Sequence, residues 1–249
     1  MSYVASLPMY ARPELKVAHD TFWALVREAL LDIYPGVPLD LNQDGLGYQF
    51  WLRPDLILSQ TCGYPYRTRL RDHVQLVGTP DYGLSDCPAG HYYSVFVVRQ
   101  DSEFLTLNDL QSARMAYNDD QSQSGYHGPL AFLDHSGVRI RLGPESGAHR
   151  KSAQLVAQSL ADVAALDAVT WAHMQRYDAV AQNLRVIGRT HSVPGLPLIC
   201  AKELDAARVT QSVQHALLAL GPIHKAALGI TSIVPLGQNA YQPSAFDVN

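Results

Sequence analysis

Short apolar runs and amphipathic helical patterns alternate along almost the whole chain of 249 residues, and this alternation restricts the fold more than any other feature. Strand patterns stand at residues 3–7, 56–59 and 74–78, with helical patterns over 14–31 and 63–70 between them. A strand, a helix and a further strand close on themselves as a parallel pair, so the expected class is α/β with mainly parallel sheets flanked by helices. The helix over 14–31 is the clearest element. Pro13 suits its first turn, Val17, Phe22, Leu25, Val26, Ala29 and Leu30 recur on one face, and Pro35-Gly36 marks its end.

The alternation breaks and restarts. After Pro88, Tyr92-Tyr93-Ser94-Val95-Phe96-Val97-Val98 reads as a long buried strand. Beyond it come strand patterns at 114–117, 138–142, 163–166 and 184–188, and helical patterns at 124–133, 149–159 and 168–177. Ser192-Val193-Pro194-Gly195-Leu196-Pro197 is a turn-rich return. Two lobes follow: residues 1–91 with 197–249 form lobe 1, and residues 92–196 form lobe 2 with both hinge crossings, a ligand cleft lying between them. A helix over 204–220 completes lobe 1, and the tail after Pro235 is expected to drape over the surface.

Composition removes several function classes. The apolar fraction is 47% and the charged fraction 17%, as in an ordinary globular protein. Nineteen Lys and Arg against 23 Asp and Glu give a net charge of −4, with no basic field for a nucleic-acid partner. Cys62, Cys87 and Cys200 are odd in number and widely spaced, which fits neither a disulfide framework nor a CxxC site. No run reaches the roughly 18 apolar residues of a membrane span, so direct membrane insertion is not expected. The first ten residues lack the basic and apolar regions of an export signal, which reads as cytoplasmic; the alternative is a periplasmic chain whose signal has been removed.

Polar chemistry gathers at turns between strands and helices. Tyr117-Asn118-Asp119-Asp120-Gln121-Ser122-Gln123-Ser124-Gly125-Tyr126 is the densest such segment. A helix start exposes unpaired N–H groups and about half a positive charge, so hydroxyls there make an anion site. Ser122 or Ser124 simply capping the helix is the plainer alternative. Thr61-Cys62-Gly63-Tyr64 repeats the arrangement in lobe 1, and Leu7-Pro8-Met9-Tyr10 leaves the first strand in the same direction. Gly147-Ala148-His149 opens another helix, with His149 either a donor to an anion or an exposed cap. Asp167 ends an apolar strand, where it either caps the next helix or balances a ligand amine. No P-loop, GxSxG, HExxH or GxGxxG is present, and no cofactor, metal site or catalytic set is expected.

These residues resemble the phosphate/phosphite/phosphonate-binding family of ABC-importer substrate-binding proteins, whose fold is the type II periplasmic binding protein. The likeness is carried by Asp109-Leu110-Gln111-Ser112-Ala113-Arg114-Met115-Ala116-Tyr117 running into Ser122-Gln123-Ser124-Gly125, and by Gly147-Ala148-His149 with Ala161-Asp162-Val163-Ala164-Ala165-Leu166-Asp167. The resemblance implies that Ser122, Gln123 and Ser124 hold the ligand oxygens, with His149, Asp167, Thr61, Cys62, Gly63 and Tyr64 around it and Tyr10 and Tyr93 as aromatic walls. Gln123 stands where the family often has Thr. The implied function is a non-enzymatic receptor that traps a small oxyanion for an ABC permease. The alternative is an enzyme or ligand sensor on the same fold that uses a phosphorylated ligand.

Overall fold

The computed structural model describes residues 2–242, and these fall into two compact units, 2–91 with 194–242, and 92–193. The expected tail after Pro235 lies, for residues 243–249, outside the described residues. In chain order the first unit begins with β1 (Val4–Ser6), a 3-10 turn (Pro13–Leu15), α1 (Lys16–Leu31), α2 (Tyr48–Trp51), β2 (Leu56–Gln60) and α3 (Gly63–Pro65). The last continues as a π-helical turn (Tyr66–Leu70), and then come β3 (Val74–Asp81) and β4 (His91–Tyr92), where the chain crosses.

The second unit holds β5 (Ser94–Arg99), β6 (Arg114–Tyr117), a π-helical turn (Gln123–His127), α4 (Gly128–His135) and β7 (Arg141–Glu145). It continues through α5 (His149–Ala157), β8 (Val163–Asp167), α6 (Ala168–Tyr177), β9 (Leu184–Arg189) and β10 (Val193–Pro194), where the chain returns. β11 (Leu198–Ala201), α7 (Ala206–Ala219), α8 (Pro222–Leu228) and β12 (Ser232–Val234) complete the first unit.

Each unit has one five-stranded sheet, ordered β1-β2-β11-β3-β12 in the first and β7-β6-β8-β5-β9 in the second, and the crossing strands β4 and β10 pair as a two-stranded sheet. The expectation of mainly parallel pairing is corrected here. β1–β2, β6–β7 and β6–β8 are parallel, whereas β11 and β5 are each antiparallel to both neighbours and β12 is antiparallel to β3. The reason is the double crossing. β5 enters beside the carboxyl end of β8, Ser94 opposite Asp167, and must run against it; β11 re-enters beside the carboxyl end of β2, Leu198 opposite Gln60, and does the same.

In each unit, therefore, the crossing segment and the carboxyl ends of the parallel strands share one edge. In the second unit that edge carries the ends of β6 and β8 and the start of β5. Each core is built from alternating strand residues and one face of the covering helices: Phe96, Met115, Leu133 and Val163 in the second unit, and Trp51, Leu56, Tyr66 and Ile199 in the first. α1 buries Ala18, Phe22, Trp23, Val26 and Leu30; Val17, expected on that face, is exposed. The strand expected over 138–142 is displaced: Val138 is buried in the approach, and the strand itself is the exposed edge β7.

Candidate functional site

At the carboxyl edge of the second unit, β6 ends at Tyr117 and the chain turns through Asn118 to Gln121 before the helix that begins at Gln123. Ser122 is extended (φ −80°, ψ 126°) and its Oγ accepts the Gly125 N–H at 3.0 Å, so the capping expectation holds for this serine. Capping does not close the turn. The first backbone bond runs from His127 N–H to Ser122 O, a five-residue step rather than the α-helical four, which leaves one more N–H at the helix start than an ordinary α-helix would. Single π turns of this kind recur at functional sites in helices.

Ser122, Gln123, Ser124 and Gly125 are all buried. An ideal Cβ on Gly125 would stand 1.8 Å from Asn118 Oδ1 and 3.1 Å from His149 Cε1. Glycine is there for room: Asn118 and His149 pack directly against the backbone of the turn. Asn118 did not stand out in the sequence, because its role depends on this contact alone.

His149 opens α5 and its Nε2 lies 2.9 Å from Ser124 Oγ. Two backbone bonds set this meeting, Gly147 N–H to Asn118 O at 2.8 Å and Ser146 N–H to Tyr117 O at 2.9 Å, which stitch the loop before α5 to the turn after β6. Gly147 adopts φ +81°, a left-handed conformation that a side chain would strain, so the loop needs glycine to aim α5 this way. Loss of water around the ring lowers the His149 pKa to about 4, partly offset by the Ala165 carbonyl, so the imidazole is neutral at physiological pH. Its Nδ1 meets no carboxylate, and a base this weak is a poor acceptor for a serine proton. Ser124 Oγ and His149 Nε2 share one hydrogen bond, whose donor is set by the tautomer of the neutral imidazole.

Asp167 is buried at the end of β8, and its Oδ1 accepts Val169 N–H at 2.8 Å and Thr170 N–H at 2.9 Å, capping α6. Tyr93 is half-buried on the same edge, with the Arg189 guanidinium 4.6 Å from its ring centroid. The sequence also gave no sign of Ser94, Gly128, Phe132, Thr190 and His191, which with Gln123 line a small cavity beside the turn.

The first unit holds the other expected residues at the corresponding edge. Thr61 is fully buried and its N–H donates to Pro197 O at 3.1 Å, while Cys62 is extended and half-buried before Gly63 opens α3. Arg67 lies 4.9 Å over the ring of Tyr64, and Tyr10 is buried edge-on against Tyr82 at 5.0 Å. Here a short helix after a strand passes into a π turn, whereas in the second unit the π turn comes first and leads into α4. Among the described residues, no group of three or more His, Cys, Asp or Glu could hold a metal ion, and no helix is long and apolar enough to cross a membrane.

Residues 55–241 match the family described as ABC transporter, phosphonate, periplasmic substrate-binding protein. No curated protein matches the sequence. Among solved structures, PhnD1 from Prochlorococcus marinus (MIT 9301) in complex with methylphosphonate is similar over 96% of this chain and 94% of its own, at 18% identity and a TM-score of 0.73. The binding protein component of an ABC phosphonate transporter (PA3383) from Pseudomonas aeruginosa covers 96% and 83%, at 16% identity and a TM-score of 0.69. XAC2383 from Xanthomonas citri bound to ATP covers 96% and 92%, at 21% identity and a TM-score of 0.64. At such identities these structures share the two-lobed periplasmic-binding-protein fold.

Proposed function

Since this chain belongs to the phosphonate family of ABC-transporter periplasmic substrate-binding proteins, we propose that it is a receptor for a small phosphorus oxyanion and holds it at the turn from Ser122 to Gly125. The observation that carries this reading is the π-opened helix start with Ser124 backed by a neutral, desolvated His149. The N–H groups left by the π turn and the helix dipole favour a negative charge there. With Nε2 protonated, His149 donates to Ser124 Oγ and turns the serine O–H toward the ligand. Thr61, Cys62, Gly63 and Tyr64 of the first unit are the proposed second source of donors, with Tyr10 and Tyr93 as walls. Family membership favours the periplasmic alternative for its location and an importer permease as its partner.

Calorimetry with inorganic phosphate and methylphosphonate tests the assignment on wild type and on Ser122→Ala/Ser124→Ala. Hydrogen bonds to a charged group contribute about 1.5–3 kcal/mol each, so losing two predicts a fall in affinity of about 100-fold or more. Unchanged affinity in the double variant, or no oxyanion bound by wild type, would overturn it.

A further inference from the structure

α5 begins without the usual aids to a helix start. Its N-cap is Ala148, which makes no side-chain cap bond, and its first turn has no acidic residue but the cations Arg150 and Lys151, the wrong charge for the positive end of a helix dipole. Yet this is the turn that must keep His149 Nε2 2.9 Å from Ser124 Oγ. The backbone bonds from Ser146 and Gly147 fix the loop ahead of His149, and the Ser146 and Ser152 hydroxyls, 2.7 Å apart, tie that loop to the helix's own first turn.

The anchor from outside the helix is an ion pair. Arg150 Nη2 lies 2.6 Å from Asp178 Oδ1, and the Asp178 side chain is only 2% exposed. Asp178 is itself fixed: its N–H donates to Met174 O at 2.8 Å, closing α6, and its carbonyl accepts the Ala181 N–H at 3.0 Å, opening the 3-10 turn Ala179–Asn183. A buried carboxylate needs a cation, so Arg150 is drawn to one place at the end of α6. Successive side chains on a helix stand about 100° apart, so holding residue 150 sets the rotation of the first turn and with it the aim of residue 149. The far end of α6 is capped by Asp167 at the end of β8, which refers α5 to the same sheet edge that carries the turn.

Resting on the oxyanion reading above, we infer that Arg150 and Asp178 are a positioning pair for ligand binding: neither touches the anion, and together they hold His149 against Ser124 Oγ. This explains why a helix start near an anion site carries a cation that points away to a buried acid. The pair acts through geometry. Burial and the Ala165 carbonyl set the His149 pKa, with no charged side chain among its causes, so a ring released to water returns toward its ordinary value.

NMR titration of the His149 ring, assigned by its loss in His149→Ala, and calorimetry with inorganic phosphate test this on the full chain. Arg150→Ala should weaken phosphate binding about tenfold, the worth of one hydrogen bond, and raise the His149 pKa from about 4 to above about 5. Arg150→Lys, which keeps a cation on Asp178, should restore the low pKa and bring affinity within about threefold of wild type. Arg150→Ala/Asp178→Asn removes the orphaned carboxylate, so that thermal melts should show a folded protein, and should match Arg150→Ala in both readouts because the two lost charges cancel. In a His149→Ala background, Arg150→Ala should change phosphate affinity by no more than about twofold. A full loss of affinity in that background would mean that Arg150 acts on the anion by its own charge, and an unshifted His149 titration would mean that the pair only stabilises the fold. Either result, with phosphate bound by wild type, would overturn this inference and leave the oxyanion reading standing. Binding of neither phosphate nor methylphosphonate by wild type would overturn both.

Discussion

Replacing Gly125 with alanine should damage the turn and its ligand affinity together, and a second substitution should relieve the damage. The new Cβ would lie 1.8 Å from Asn118 Oδ1, 2.9 Å from Asn118 Cγ and 3.1 Å from His149 Cε1. Ordinary carbon contact begins near 3.5 Å, so the Asn118 carboxamide has to retreat by well over about 1 Å, and His149 crowds the same Cβ. Overpacking of this kind costs about 1–3 kcal/mol, and the helix propensity of alanine over glycine returns at most about 1 kcal/mol. Gly125→Ala should therefore destabilise the second unit by about 1–2 kcal/mol in urea titration. It should also weaken phosphate binding about tenfold or more, because the Ser124–His149 bond at 2.9 Å has little slack. In an Asn118→Ala background the 1.8 Å and 2.9 Å contacts are gone and only the milder approach to His149 Cε1 remains, so the same Gly125→Ala change should cost at least about 1 kcal/mol less. The double-mutant cycle then yields a coupling of about 1–3 kcal/mol between residues 118 and 125. An equal effect of Gly125→Ala in both backgrounds would refute the contact on which the reasoning rests.

His149 carries a pH prediction with a definite sign. Its pKa in the folded protein, about 4, lies below the ordinary 6.5, so its contribution to stability is complete above pH 6.5 and is lost as the pH falls toward 4. Wild type should lose up to about 2 kcal/mol between pH 7 and pH 5 that His149→Gln does not lose, and a pH-independent difference between the two in urea titration would contradict it. For Asp167, alanine should cost about 1 kcal/mol of stability, serine should restore most of it as a helix cap, and both should leave phosphate affinity within about twofold. A collapse of affinity in Asp167→Ser would give the carboxylate a ligand-binding role instead.

What the sequence disclosed about the fold follows from what is local. The α1 pattern, the Arg114–Tyr117 strand and the α6 boundaries depend on periodicity and caps within a few residues, and all could be read directly. Strand direction is not local. β11 is four residues long between Pro197 and Lys202, and its antiparallel setting follows from where the returning chain re-enters the sheet. β7 misled for a related reason: an edge strand with an exposed Arg141, Leu142, Pro144 and Glu145 has no apolar signature, whereas Val138 and Ile140 before it do, because they pack into the core.

The site divides along the same line. Hydroxyls before a glycine at a helix start are a local signal, and the two readings it offered, cap and anion site, are both compatible with the geometry because they use different groups. Ser122 Oγ takes Gly125 N–H, while the five-residue step from Ser122 O to His127 sets one more N–H outside the helical ladder than an α-helical start would. Periodicity cannot distinguish that step from an ordinary helical one. The turn's glycines answer to bulk from their neighbours: Asn118 and His149 crowd residue 125, and the Gln123 carboxamide and carbonyl crowd residue 128. Gly125 and Gly128 were visible in the sequence, but nothing local says which neighbours make them necessary. A turn whose glycines are imposed by its neighbours should therefore accept a side chain at residue 125 once Asn118 has shrunk. The same logic makes the Asn118–Gly125 cycle a test of the site's architecture as well as of one contact.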